Sequence, residues 1–149
     1  MAEMMRATRT RVLVPVDGSA NSDRVIDALL KELAGGAALE LILLNVQIPV
    51  DSGHARMFVS AEAIEAYHRE EGLQALQSAR QKLDAAGVDY RWHVAVGRIT
   101  DTILRFAEEQ RAERIVMGTH GRTALTHLLL GSVASGVSRR ADVPVTLIK

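Results

Sequence analysis

Arg114-Ile115-Val116-Met117-Gly118-Thr119-His120-Gly121-Arg122 runs on through Leu128-Leu129-Leu130 into Gly131-Ser132-Val133. The short apolar run before Gly118 reads as a strand, and the segment opening at Ser132 reads as a helix. Between them lies a loop marked by three glycines. Glycine lets backbone N–H groups approach a ligand with no Cβ in the way. At a helix start the first N–H groups lack intrahelical acceptors, and the positive end of the helix dipole adds to them. The stretch Gly131-Ser132-Val133 therefore predicts an anion site. Ser132 either caps the helix or gives its hydroxyl to a phosphate oxygen. The plain alternative is that these glycines serve only the turn.

Outward from this unit the same alternation repeats. Arg11 to Val16 is a β-branched run closed by Asp17-Gly18-Ser19, and Val25, Ile26, Leu29, Leu30 and Leu33 follow at helical spacing up to Gly35-Gly36. Leu39 to Val46 is nearly continuously apolar, as in a strand covered on both faces. Residues 47–58 read as a loop, and a helix over about 59–86 carries Ile64, Tyr67, Leu73, Leu76 and Leu83 before Gly87. A third strand spans Val88 to Val96 with Trp92 as packing surface; Ile99 to Gln110 is a helix, and Val143 to Ile148 the last strand. Strict alternation predicts an α/β fold, a five-stranded parallel sheet with helices on both faces. Such sheets take ligands at the carboxyl ends of the strands, where the winding reverses.

Composition narrows the function. The 149 residues fit one domain, expected to span 1–149, and are long enough to bury a core without metal or disulfide. Eighteen basic residues balance eighteen acidic ones, which argues against a nucleic-acid partner. There is no cysteine, so thiolate metal sites and cysteine nucleophiles are excluded. No apolar run has the length of a membrane helix, and Met1 to Arg9 lacks the pattern of a leader. A cytoplasmic protein without a membrane partner is expected.

The spacing Gly118-x2-Gly121-x9-Gly131-Ser132 resembles the signature of universal stress proteins that bind ATP. Ile115 to Arg122 and Leu128 to Ala134 resemble that family in detail, as do Val14-Pro15-Val16-Asp17-Gly18-Ser19, Leu43-Leu44-Asn45-Val46, Val96-Gly97 and Val143-Pro144-Val145. The resemblance implies strand order 3-2-1-4-5, the adenine nucleotide alpha hydrolase-like arrangement. It implies ATP, with Mg²⁺, as ligand. Pro15, Val16 and Asp17 then lie by the nucleoside, with Asp17 at the ribose or adenine and the Val46 backbone at the adenine edge. Gly118, Thr119, His120, Gly121, Arg122, Gly131, Ser132 and Val133 surround the phosphates. Arg114 and Arg98-Ile99 depart from the family pattern, which puts local helix capping in question.

Each site residue has a plainer reading. Asp17 after a strand is also a common turn or cap residue, and Arg122 is also an ordinary exposed loop residue. His120 and His127 lack a third ligand nearby in sequence, so no metal is assigned to them. The leading function is a binding module whose nucleotide occupancy signals stress or energy state to a partner. One alternative is a slow ATPase or nucleotidyl-transfer enzyme, against which stand the missing Walker A pattern and the lack of a residue to activate water. Another is a non-nucleotide dimerisation module. A phospho-receiver domain is excluded, because Asp17 stands alone and strand three ends Val-Ala-Val-Gly. A homodimer through Val143–Ile148 is expected, an apolar edge strand in this order.

Overall fold

The computed structural model describes residues 9–50, 59–120 and 130–149. Its elements follow as β1 (Thr10–Pro15), α1 (Ala20–Ala34), β2 (Leu39–Gln47), α2 (Ala61–Ala85), β3 (Tyr90–Val96), α3 (Ile99–Glu109), β4 (Arg114–Gly118), α4 (Ser132–Arg140) and β5 (Val145–Ile148). All pairings are parallel, and the sheet order is β3-β2-β1-β4-β5. The winding turns from one direction to the other between β1 and β4.

The period of two along each strand divides the core into two layers. Val12, Val14, Leu41, Leu43 and Val116 face α1 and α2 together with Val25, Ile26, Leu29, Leu76 and Leu83. Leu13, Ile42, Leu44, Ile115 and Met117 face α3 and α4 with Ile103, Ala134 and Val137. Fully burying one such side chain contributes about 1.5–3 kcal/mol, so this double layer dominates the folding energy. Trp92 packs at the margin of the first layer, with the Arg80 guanidinium 4.8 Å from its ring centroid.

Several boundaries differ from the sequence reading. The last strand begins at Val145, because Pro144 has no N–H for the ladder and only its carbonyl joins in, accepting from Ile115 at 3.0 Å. The third strand begins at Tyr90, since Gly87 (φ +68°) and Val88 belong to the turn that closes α2. That helix starts at Ala61 because the Ser60 hydroxyl caps it, accepting from Ala63 N–H at 3.1 Å. Arg98 caps α3 without a side-chain hydrogen bond. Arg114 instead pairs with Glu32 at 3.0 Å and with the Thr146 hydroxyl at 3.1 Å, tying β4 to α1 and β5. The α1–α2 contact is laced by Ser78–Asp23 and Lys82–Asp27, and Asp27 holds the Lys82 ammonium above the usual lysine range. Among the described residues no helix is long and apolar enough to cross a membrane.

Candidate functional site

The carboxyl ends of β1, β2 and β4 each stop in a different way, and together they define the candidate site. After β1, Val16 still joins the sheet, its N–H donating to the Leu44 carbonyl at 2.8 Å. Asp17 then closes a tight turn: its Oδ1 accepts the Ser19 N–H at 3.0 Å and the Ser22 hydroxyl at 2.8 Å. Ser19, not Asp17, caps α1, accepting from Ser22 N–H at 3.2 Å. The turn role of Asp17 is thus present, yet it uses one carboxylate oxygen. Oδ2 has no partner among the described residues and stays available as an acceptor. Gly18 takes φ +81° directly beneath α2, where a Cβ would come within 3.2 Å of the Ala75 Cα.

Peptide groups along β2 alternate in direction. The Leu44 carbonyl points to β1, and the Gln47 carbonyl points to β3, where it accepts from Gly97 N–H at 2.9 Å. Val46 shares the direction of Leu44, so its N–H and C=O face the space beyond the end of β1. A continued ladder would pair Val46 N–H with the Val16 carbonyl. The buried Asn45 amide takes that carbonyl instead, at 2.8 Å, and is itself held by Gln47 at 2.7 Å. Both Val46 peptide groups are left without a partner among the described residues. One donor beside one acceptor suits the edge of an adenine base.

At the end of β4, Thr119 is nearly buried and serves three elements. Its N–H donates to the Ile148 carbonyl at 2.9 Å, its carbonyl accepts from Gly131 N–H at 2.8 Å, and its hydroxyl meets His120 Nδ1 at 3.0 Å. Gly131 is the N-cap of α4 and Ser132 the first helical residue, so of the two sequence readings of Ser132 the capping one is corrected. The first intrahelical bond runs from Ser135 N–H to the Gly131 carbonyl at 2.9 Å. The N–H groups of Ser132, Val133 and Ala134 precede it and have no acceptor among the described residues. Three orphan donors at a dipole's positive end attract phosphate. Gly121, Arg122 and His127 lie outside the described residues.

Asn21 belongs to this site, and the sequence reading does not include it. It is 5% exposed; its amide donates to the Ile148 carbonyl at 3.0 Å and accepts the His120 N–H at 2.9 Å. A Cβ on Gly118 would stand 2.6 Å from the Asn21 Cγ, so this glycine makes room for the amide. The only hint in the sequence is an asparagine in the first turn of a helix, which cannot name its partners.

Pro15, Val16, Asp17, Val46, Gly118, Thr119, His120, Gly131, Ser132 and Val133 therefore all lie at the carboxyl end of the sheet. A shallow cavity of about 460 Å³ lies at the same end, between Ile48, Pro49 and Gly97–Asp101. A larger one of about 520 Å³ lies at the opposite end, walled by Arg9, Arg11, Arg91, Glu40 and Asp89. Arg11 and Arg91 there are already paired with Glu40. The chemistry at the carboxyl ends outweighs the size of that cavity. Among the described residues no three His, Asp or Glu side chains converge as metal ligands.

Residues 8–149 match the model of the universal stress protein family. Universal stress protein YxiE of Bacillus subtilis is 31% identical over 146 residues, covering 93% of this chain and 98% of that protein. Universal stress protein MJ0531 of Methanocaldococcus jannaschii is 39% identical over 90 residues, which cover 60% of this chain and 53% of that one. Among solved structures, a universal stress protein in complex with cAMP is 27% identical, with TM-score 0.67 and coverage of 94% and 97%. The Archaeoglobus fulgidus universal stress protein in complex with dAMP is 26% identical, with TM-score 0.61 and coverage of 94% and 98%.

Proposed function

Because the chain belongs to the universal stress protein family, we propose that it is an ATP-binding module whose occupancy signals to a protein partner. The observation that carries this reading is the set of groups at the switch in winding that have no partner among the described residues. The Val46 N–H and C=O suit the adenine edge, Asp17 Oδ2 suits a ribose hydroxyl or the base, and the N–H groups of Ser132, Val133 and Ala134 suit phosphate. Relatives in complex with cAMP and dAMP differ in ribose and phosphate but share adenine, which supports adenine as the common element. ATP is assigned here, with Mg²⁺ balancing its charge. The chain has no Walker A lysine, and no carboxylate or glutamine is recognisable as the group that would activate water, so ATP is held rather than spent.

Calorimetric titration with ATP tests this directly. The parent is expected to bind, and Asp17→Ala to weaken binding by about 1–3 kcal/mol, the range for a hydrogen bond to a charged group. Part of any stability loss comes from the Ser19 and Ser22 bonds, so affinity is compared on folded protein only. No binding by the parent sinks the proposal. Turnover of about 1 s⁻¹ or faster replaces it with an enzyme.

The signalling form is proposed to be a homodimer joined through β5. That strand pairs with β4 on one side only, and Val143, Val145 and Leu147 are half-buried against the second core layer. An apolar edge of this kind is closed by two-fold pairing with its own copy. Sedimentation at micromolar concentration is expected to give a dimer; monomer alone rejects it.

A further inference from the structure

The imidazole of His68 in α2 is 5% exposed, and its Nδ1 has no hydrogen-bond partner among the described residues. A buried polar atom in this state is costly and calls for a partner beyond those residues. Its direction follows from two fixed contacts of the same helix. Gly72 faces β3, where a Cβ would overlap the Val94 methyls, and Ala75 sits against Gly18 beyond β1. At about 100° per residue, His68 points within roughly 20° of Ala75 and 40° of Gly72, between the two. It therefore faces the carboxyl end of β2, which lies between β3 and β1 in the sheet. The crossover helix runs antiparallel to the strands, which puts His68 about 6 Å further toward the ligand end than Gly72.

The residues waiting at that end are Asn45, Val46 and Gln47. Asn45 and Gln47 are engaged with Val16 and with each other; Val46 presents peptide groups that have no partner among the described residues. A second imidazole atom without a partner among the described residues, His93 Nε2, is on the opposite face of the sheet against Phe106 and away from the turn after β1. We infer that His68 is a further ligand-contacting residue, its Nδ1 hydrogen-bonding the purine base that the Val46 peptide holds. This inference rests on the nucleotide reading above and adds the residue that closes the base from the helix side.

The test uses adenosine and inorganic triphosphate as separate probes with the parent, His68→Phe and His68→Asn. Phenylalanine keeps the ring and removes the polar atoms, while asparagine restores a polar atom near the place of Nδ1. His68→Phe is expected to weaken adenosine about tenfold, the equivalent of one hydrogen bond. His68→Asn is expected to regain most of that loss, and triphosphate to bind all three alike. A parent that binds ATP while His68→Phe keeps full adenosine affinity overturns this inference alone. A parent that binds no nucleotide overturns both readings. Should His68→Phe not fold, the ¹⁵N resonance of His68 Nδ1 in the parent decides: it is expected to move on saturation with adenosine, and an unmoved resonance rejects the contact.

Discussion

Gly131→Val is expected to weaken ATP binding by ~100-fold or more while leaving the circular dichroism of the folded protein unchanged. The backbone at Gly131 is ordinary (φ −60°, ψ 156°), so the effect does not come from a forbidden angle. It comes from space. A Cβ there stands 3.0 Å from the Thr119 carbonyl oxygen and 3.5 Å from the His120 Cα, so the cap must shift away from the β4 end. That shift strains the Gly131 N–H to Thr119 bond and re-aims the donors of Ser132, Val133 and Ala134. The branched methyls also intrude on the space that the proposed function gives to the phosphates. Breaking two or three hydrogen bonds to phosphate, at about 1.5 kcal/mol each, accounts for the drop. Arg122→Ala removes one side-chain charge and is expected to cost far less. Equal ATP affinity in Gly131→Val and parent would place the phosphates elsewhere.

The fold is legible because glycines and apolar runs mark nearly every element. Leu39 to Val46 reads as a two-sided buried strand, and it is one. Differences arise at ends, where a single group decides: the missing N–H of Pro144, or the hydroxyl of Ser60. The site is legible only in part, for a different reason. Gly131 and Asp17 stand beside their chemistry in sequence, so local patterns expose them. Asn21 acts through Ile148 and His120, 127 and 99 residues away, and no local pattern carries such a contact. His68 is a similar case, because its meaning depends on which strand ends lie opposite its helix. The open peptide of Val46 follows from Asn45 taking the Val16 carbonyl, which the strand pattern does not encode.

Gly118→Val is expected to destabilise the fold by roughly 3–5 kcal/mol, the sum of overpacking at about 1–3 kcal/mol and two hydrogen bonds at about 1 kcal/mol each. The added side chain takes the place of the buried Asn21 amide, which then releases the Ile148 carbonyl and the His120 N–H. In a chain of this length each kcal/mol lowers Tm by about 2–4 °C, so a fall of ~6–20 °C is expected by calorimetry. The mechanism predicts coupling, because the clash and the clamp involve the same amide. Gly118→Ala is therefore expected to cost less in an Asn21→Ala background than in the parent, by about 0.5–3 kcal/mol. Equal costs in the two backgrounds would reduce Gly118 to a turn residue and leave Asn21 unconnected to it. The clamp also holds the His120 backbone at the end of β4, so, on the proposed function, Asn21→Ala is expected to weaken ATP even where the protein remains folded. Such a loss without unfolding separates a positioning role for Asn21 from a merely structural one.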